Sequence, residues 1–279
     1  SGNFIVARGL YKQVPPVTLA FYRWLLASAI IFPFAVKQFK AEWRVVRHAW
    51  HYFFWASLTG VSVFNTFVYV AGHYTSAINL ALIGTTSSPI FSVIFARVFL
   101  KEKIGWFKIL GMVLCICGIL FLLSNGNIAN LVSFRFTRGD TWVLLAGFSF
   151  AVYNTMVKKK PASVSPLNFL FIAFSLGTIL LLPFYLWEVS YSAPVVWNIK
   201  ILLIIFYIAI GASVICFFIW NIAIHKLGAG RAAIFGNLIP IFSSIEAVII
   251  LKEQFTIVHI VSMVIVFAGI MLANLRPLR

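Results

Sequence analysis

Two asparagines, Asn3 and Asn154, have the side-chain type and the spacing that best fit recognition of a small polar solute. Both lie in apolar segments, 151 positions apart. An amide offers two donors and two acceptor sites, which suits a zwitterionic or polar ligand. Polar groups inside a membrane are costly and are often functional. The alternative is structural, because amides also join neighbouring membrane helices through hydrogen bonds.

Other polar and aromatic side chains could complete such a site. Asn65 and Tyr69 are four residues apart and so share one helix face, and Trp220 stands 151 positions after Tyr69. Aromatic walls with few amides suit a solute that has a flat or apolar side chain. The residues expected to bind substrate are Asn3, Asn65, Tyr69, Tyr153, Asn154, Trp220 and Asn237.

Charges and prolines inside apolar segments suggest gating elements. We expect Glu246 to pair with Arg23, with Arg8 as the less favoured partner, because an unpaired charge at that depth is costly or becomes neutralised. The pair would clamp outer helix ends or act as a proton-sensitive gate. Pro89 and Pro240, again 151 positions apart, would kink two matched helices, as gates or as static bends. By contrast, acidic residues in outer loops, such as Glu188 and Asp140, are expected to be solvated.

The elements that position these residues are predicted to be membrane helices. Hydrophobic residues make up 62% of the chain and charged residues 10%, against about 25% charged in soluble domains. Apolar runs of about 18 residues or more recur, each long enough to cross the hydrocarbon core. Lipid offers no partner to backbone groups, and the runs are continuous, so helices are favoured over a barrel. Gly111, Gly118 and Gly269 are expected to permit close helix contacts.

The chain contains one unit written twice. Residues 88–123 resemble residues 239–274, and ten spans are predicted in total. Five spans per repeat is an odd number, so the second repeat must enter the membrane inverted. We therefore expect a first repeat at 1–124, an outer loop at 125–140 and a second repeat at 141–279. The first span is short, and we expect that about ten residues of its start are missing.

The basic residues predict the orientation. Of the 22 Lys and Arg residues, 15 fall on the side that holds both termini, which predicts cytoplasmic termini in the plasma (inner) membrane. This topology explains the net charge of +16 better than nucleic-acid binding does. The three cysteines lie in apolar runs without metal-site spacing, so no metal, cofactor or disulfide is expected.

The motifs NFIVARGL, VPPVTLAFYRW, LKEK and GMVLCICGILFLL resemble one repeat of the EamA family in the drug/metabolite transporter superfamily. YNTMVKKK, HKLGAGRAA and PIFSSIEAVIILKEQ resemble the other. The resemblance covers nearly the whole chain and implies ten helices in two inverted repeats. It also implies export of small metabolites, notably aromatic amino acids. Lys101 and Lys252 stand where the family has glycine, which we expect to leave fold and mechanism intact.

The sequence therefore predicts a secondary active transporter, not an enzyme. It would export aromatic or other amino acids, or similar metabolites, by alternating access around a site between the repeats, as a monomer or weak dimer. The chain contains no nucleotide-binding motif, so solute or proton gradients would supply the energy. An antiporter of a nucleotide sugar or phosphosugar is the alternative, although it would need several inward Lys or Arg residues. An intramembrane enzyme is disfavoured because the six acids and five histidines are scattered; a membrane sensor stays open.

Overall fold

A computed structural model describes residues 1–99, 105–124, 126–127, 137–227 and 238–275. Within these ranges the regular structure is helical, without a strand. The helices before residue 125 are α1 Gly2–Gly9, α2 Pro16–His48, α3 Trp50–Gly72, α4 Ala77–Phe99 and α5 Trp106–Leu123. Those after residue 136 are α6 Arg138–Lys158, α7 Pro166–Tyr191, α8 (Ile199–Tyr207 continuing through Cys216–Leu227), α9 Ile239–Leu251 and α10 Ile257–Asn274.

Several helices are long and apolar enough to cross a bilayer. In the described part of the chain, four segments meet that criterion: Pro16–His48, Trp50–Gly72, Pro166–Tyr191 and Ile199–Trp220. Shorter apolar helices follow at Ile109–Leu122, Ile239–Leu251 and Ile257–Ala273. The chain is an all-helical membrane protein; the number of spans and their inverted repetition remain predictions.

Helix starts follow the local sequence. Proline occupies the first turn of both α2 and α7, where its missing N–H is no loss. The Ser165 hydroxyl accepts from the backbone N–H of Asn168 at the start of α7. At the start of α6, Thr137 and Asp140 form a capping box in which each side chain binds the other's backbone N–H. These caps satisfy backbone donors that have no partner within the helix.

Glycines permit a close helix contact between α5 and α10. A Cβ on Gly111 would overlap the backbone of Gly269, and a Cβ on Gly269 would lie 2.9 Å from the backbone nitrogen of Cys115. A Cβ on Gly118 would lie 2.7 Å from the Val266 side chain. The prediction that these three glycines permit close helix packing is confirmed.

Two helices contain π-helical turns at related positions. One spans Leu58–Val63 within α3, and the other spans Ile208–Ile215 within α8. Each contains a glycine, Gly60 or Gly211, and these are 151 positions apart. π-Helical turns are rare and are often found at functional sites. These turns were not predicted from the sequence, and both lie beside the polar cluster described next.

Candidate functional site

A buried arginine forms the centre of the candidate site. Arg23 lies on α2, and its side chain is only 2% exposed. Its Nη1 donates to Asn3 Oδ1 at 2.6 Å, to Asn65 Oδ1 at 2.8 Å and to the Tyr69 hydroxyl at 2.8 Å. The Tyr69 hydroxyl in turn donates to Asn3 Oδ1 at 2.9 Å. Helices α1, α2 and α3 therefore meet at one guanidinium, and three residues predicted to bind substrate are brought together.

The second half of the chain completes the cluster through its π-helical turn. Arg23 Nε donates to Ser213 Oγ at 2.7 Å, and Ser213 Oγ donates to the carbonyl of Ile208 at 2.9 Å. Nη2 lies 3.5 Å from the carbonyl oxygen of Ala212, at the limit of a hydrogen bond. We call Arg23, Asn3, Asn65, Tyr69 and Ser213 the Arg23 cluster. Ser213 was missed from the sequence, although it stands 151 positions after Ser62 in the other π-helical turn.

Helix α1 is held in place by its contact with the end of α3. Arg8 Nη1 donates to the carbonyl of Gly72 at 3.1 Å and so satisfies a free acceptor at that helix end. Gly72 itself lies against the backbone of Ala7, so closely that a Cβ would lie 2.7 Å from its carbonyl carbon. This contact fixes α1 and brings Asn3 to the face of α3 that carries Asn65.

The expected ion pair between Arg23 and Glu246 is not formed. Neutral oxygens of three other helices surround the guanidinium, whereas Glu246 Oε1 accepts from Ser1 Oγ at 2.7 Å. The reason is the packing of α9 against α1, which places Glu246 at the start of α1. Glu246 Oε2 is buried and has no hydrogen-bond partner within the described residues.

The other predicted site residues lie outside the Arg23 cluster. Tyr153 is buried against Gly60, with its ring centroid 5.6 Å from that of Phe150. Asn154 and Trp220 are half-buried, and neither side chain forms a hydrogen bond with the described residues. Asn237 lies outside the described residues.

The two prolines occupy different helical positions. Pro89 lies inside α4, whereas Pro240 is buried in the first turn of α9, where proline removes no helical hydrogen bond. The residues immediately before Leu238 fall outside the described ranges. Matched kinks therefore remain a prediction.

An aromatic wall adjoins the arginine. The ring of Trp24 lies 4.6 Å from Arg23 Cζ, within range of a cation–π contact. Trp24 also contacts Phe174 and Phe217, at centroid distances of 4.8 Å and 5.9 Å. None of these three residues stands out in the sequence, because 17% of the chain is aromatic.

Comparison with known proteins identifies the family. The model of the EamA-like transporter family matches residues 1–124 and 137–275. This chain belongs to that family. An uncharacterized transporter of Archaeoglobus fulgidus is 27% identical over 99% of this chain and 93% of its own length. The uncharacterized transporter YetK of Bacillus subtilis is 24% identical over 98% of this chain and 83% of its own.

Two further similarities concern function and fold separately. A probable terminal-alkyne amino-acid exporter of Streptantibioticus cattleyicolor is 29% identical over 68% of this chain and 62% of its own. A solved crystal structure matches with a TM-score of 0.67 and 16% identity, over 96% of this chain and 90% of that one. At this identity the match supports the fold alone. The chain is thus a member of a family of transporters and not of enzymes.

In this EamA-like protein, acids expected to be solvated are buried helix caps. Glu188 is 3% exposed and accepts from Thr18 N at 2.6 Å, from Thr18 Oγ1 at 2.8 Å and from Val17 N at 3.1 Å. Asp140 is 2% exposed and caps α6. Glu42 and Glu253 likewise accept from backbone N–H groups at the starts of α7 and α4. A carboxylate at a helix start gains from both the free donors and the helix dipole, which is why Glu188 and Asp140 can be buried.

An open cavity of about 610 Å³ lies at the α2 start, between the ends of α3 and α7. Its charged or titratable lining includes Lys12, His73 and Glu188. Burial lowers the pKa of His73 below its ordinary value; Glu188 opposes this shift and Arg8 adds to it. The carboxylate of Glu188 already caps the start of α2. This cavity is therefore a weaker candidate for the functional site than the Arg23 cluster.

Proposed function

We propose that this chain is a secondary active transporter that exports amino acids or similar small metabolites by alternating access. Two inverted five-helix repeats, at residues 1–124 and 141–279, would form ten membrane spans in the plasma membrane with both termini cytoplasmic. The substrate would bind at the Arg23 cluster, with Tyr153, Asn154, Trp220 and Asn237 as further contacts along its path.

One observation carries the proposal: a single buried polar cluster takes side chains from both halves of the chain. Arg23, Asn3 and Asn65 come from the first half, and Ser213 from the second. Transporters built from inverted repeats bind substrate near the midplane between the repeats, beside interrupted helices. Arg23 is seven residues into α2, about 10 Å along the helix, and Ser213 lies in a π-helical interruption.

The repeat itself has independent support. The family model matches the chain twice, at 1–124 and 137–275. The π-helical turns recur at the same relative position, and α2 packs against α7 just as α5 packs against α10. Each of those packed pairs joins segments that the offset of 151 residues relates.

An amino acid fits the composition of the site. A carboxylate could meet the guanidinium, and the wall of Trp24, Phe174 and Phe217 could hold an apolar side chain. The amino-acid exporter among the relatives points the same way.

A second candidate, an antiporter of an anionic metabolite, is favoured by the burial of Arg23. Such an antiporter would need several inward Lys or Arg residues, and the structure buries one such cation, Arg23, within the bundle. One cation matches a single negative charge better than the two or more charges of a phosphosugar, so the amino-acid proposal is preferred.

Purified protein in proteoliposomes tests the proposal. Labelled aromatic and aliphatic amino acids should equilibrate faster than in protein-free vesicles, and a pH gradient should drive accumulation if protons are coupled. Glu246→Gln should then remove the dependence on pH and retain downhill movement. If no amino acid moves faster than in empty vesicles, the amino-acid assignment is wrong; unchanged pH dependence in Glu246→Gln removes Glu246 from proton coupling.

A further inference from the structure

We infer that Arg23 and Asn65 form a subsite for the carboxylate of a monoanionic substrate. This inference rests on the proposed transport function and names the chemical group that its site would select. The substrate class is a small carboxylate with an apolar or aromatic remainder, which includes neutral amino acids.

The first argument is the unbalanced charge. A guanidinium is always protonated, and that of Arg23 is surrounded by neutral oxygens from Asn3, Asn65, Tyr69 and Ser213. In the part of the chain that the structure describes, no carboxylate lies within ion-pair distance of it. A buried charge is normally paired, because taking it out of water is expensive. A bound carboxylate would supply the missing charge.

The second argument is the presence of spare donors beside that charge. Asn65 is 1% exposed, and its Nδ2 is buried without a hydrogen-bond partner among the described residues. Arg23 Nη2 has one marginal contact, at 3.5 Å from the carbonyl of Ala212. Buried donors are rarely left without partners. Asn65 Oδ1 lies only 2.8 Å from Arg23 Nη1, so these donors belong to one small region that a carboxylate could bridge.

The third argument is that the scaffold does not itself require this arginine. Phe174 occupies the position 151 residues after Arg23, on the paired helix α7, and it is fully buried. The position that the predicted repeat pairs with Arg23 therefore holds a buried apolar residue. The acceptors around Arg23 also come from three other helices, α1, α3 and α8, an arrangement that a local helix cap does not need.

The neighbouring aromatic wall narrows the substrate class. Trp24 touches the guanidinium, and Phe174 and Phe217 extend from it at centroid distances of 4.8 Å and 5.9 Å. A ligand with its carboxylate on Arg23 would place its remaining atoms against these rings. A phosphate group carries up to two charges at neutral pH and would need more than one cation, so a carboxylate is the better match.

Binding of matched probes to purified protein in detergent tests the subsite directly. The probes are benzoate, 3-phenylpropionate, L-phenylalanine and L-leucine, each compared with its carboxamide, together with inorganic phosphate. Carboxylates at millimolar concentration should raise the thermal unfolding temperature, and the uncharged amides of the two acids should not. If acids and amides stabilise equally, if no carboxylate stabilises the protein, or if phosphate binds best, the inference is overturned.

Substitutions assign the effect to Arg23. Arg23→Gln should weaken carboxylate binding by at least about tenfold, since charge-assisted hydrogen bonds are lost. Arg23→Lys should retain part of it, because a lysine keeps the charge without the two-pronged geometry. Arg47→Gln is the matched control, because it makes the same change at an exposed position on the same helix. Carboxylate binding that survives unchanged in folded Arg23→Gln contradicts the inference.

Asn65→Asp provides an arm that does not depend on loss of folding. It would place a carboxylate within about 3 Å of Arg23, as the Asn65 Oδ1 distance indicates. The variant should unfold at a higher temperature than wild type and should no longer respond to added carboxylates. An Asn65→Asp protein that unfolds earlier and still binds the probes would contradict the inference.

The subsite and the transport function can fail separately. Arg23-dependent carboxylate binding with no movement of any probe in proteoliposomes would leave the subsite in place and reject transport of these solutes. Amino-acid transport at wild-type rates by folded Arg23→Gln would leave transport in place and reject the subsite.

Discussion

The surroundings of Arg23 differ in chemistry from the positions 151 residues further along the chain, which the predicted repeat pairs with them. Arg23 corresponds to Phe174, and Asn65 corresponds to Cys216. Arg23 and Asn65 contribute hydrogen bonds to a buried cluster, whereas Phe174 is packed between Trp24 and Phe217. One half therefore supplies a cation and amides, and the other supplies a serine and aromatic surface.

In the proposed repeat, this difference would allow two related halves to bind an asymmetric ligand. Each half contains a π-helical turn, and each turn contains a serine whose hydroxyl donates to a backbone carbonyl. Ser62 donates to the carbonyl of Gly177, whereas Ser213 accepts from Arg23. The two turns thus share a backbone form but differ in the partners of their serines. An amino acid, charged at one end and apolar at the other, matches that divergence.

The largest expected effect comes from making the two halves alike. Phe174→Arg would place a second guanidinium at a site lined by Trp24 and Phe217, with no comparable ring of acceptors. An unpaired buried charge costs about 3–5 kcal/mol, so folded yield in size-exclusion chromatography and the unfolding temperature should both fall sharply. Phe174→Leu is the control and should cost about 1–2 kcal/mol. Equal stability of the two variants would contradict the comparison.

Asn3→Ala and Asn154→Ala should have unequal effects on transport. Asn3 Oδ1 accepts from both Arg23 and Tyr69, whereas the Asn154 side chain forms no hydrogen bond with the described residues. Loss of hydrogen bonds to a charged group costs about 1.5–3 kcal/mol, so Asn3→Ala should slow amino-acid transport at least about tenfold and Asn154→Ala much less. Initial rates in proteoliposomes, normalised to folded protein, measure the difference. Equal losses would restore the symmetric site expected from the sequence.

The sequence could predict which helices exist, because apolar length alone decides what can lie in lipid. It could also predict that Gly111 and Gly269 permit close contact, since small residues in apolar helices have few other uses. It placed Asn3, Asn65 and Tyr69 in one site because polar side chains are rare in these segments. These predictions depend on composition and spacing, and the chain displays both directly.

Partner choice could not be predicted, because it depends on three-dimensional packing. Glu246 and Arg23 were predicted to pair because they are charges at similar depth. In the structure, neutral side chains accept the hydrogen bonds of the arginine instead. Glu188 was expected in solvent because it follows an apolar run, yet it caps the start of a helix 170 positions away. The π-helical turns have no recognised residue pattern. Each case required knowing which distant helix lies alongside.

The two π-helical turns should respond differently to the same glycine substitution. A methyl group on Gly60 would overlap the ring of Tyr153, whereas one on Gly211 would lie 3.7 Å from Tyr207, an ordinary contact. Gly60→Ala should therefore cost about 1–3 kcal/mol through overpacking. Gly211→Ala should be neutral or stabilising by up to about 1 kcal/mol, because alanine favours a helix. Thermal unfolding in detergent measures both values.

A second substitution checks the cause of the Gly60 effect. In a Tyr153→Leu background the overlap is relieved, so the penalty of Gly60→Ala should shrink. A penalty that persists undiminished would place the strain in the π-helical backbone and not in the contact with Tyr153.

The smallest effect concerns pH and contrasts the open cavity at the start of α2 with the Arg23 cluster, whose guanidinium does not titrate in the accessible range. Burial lowers the pKa of His73 in the folded protein below its ordinary value of 6.5, with Glu188 opposing and Arg8 adding. The unfolded chain then binds more protons, so stability should decrease as pH falls below about 6.5 and recover above it. His73→Gln should remove this component, which partial exposure limits to less than about 1 kcal/mol. Unfolding temperatures of wild type and His73→Gln between about pH 5 and 8 measure this component. A stability difference that is flat across this range would show that protonation of His73 does not destabilise the folded protein.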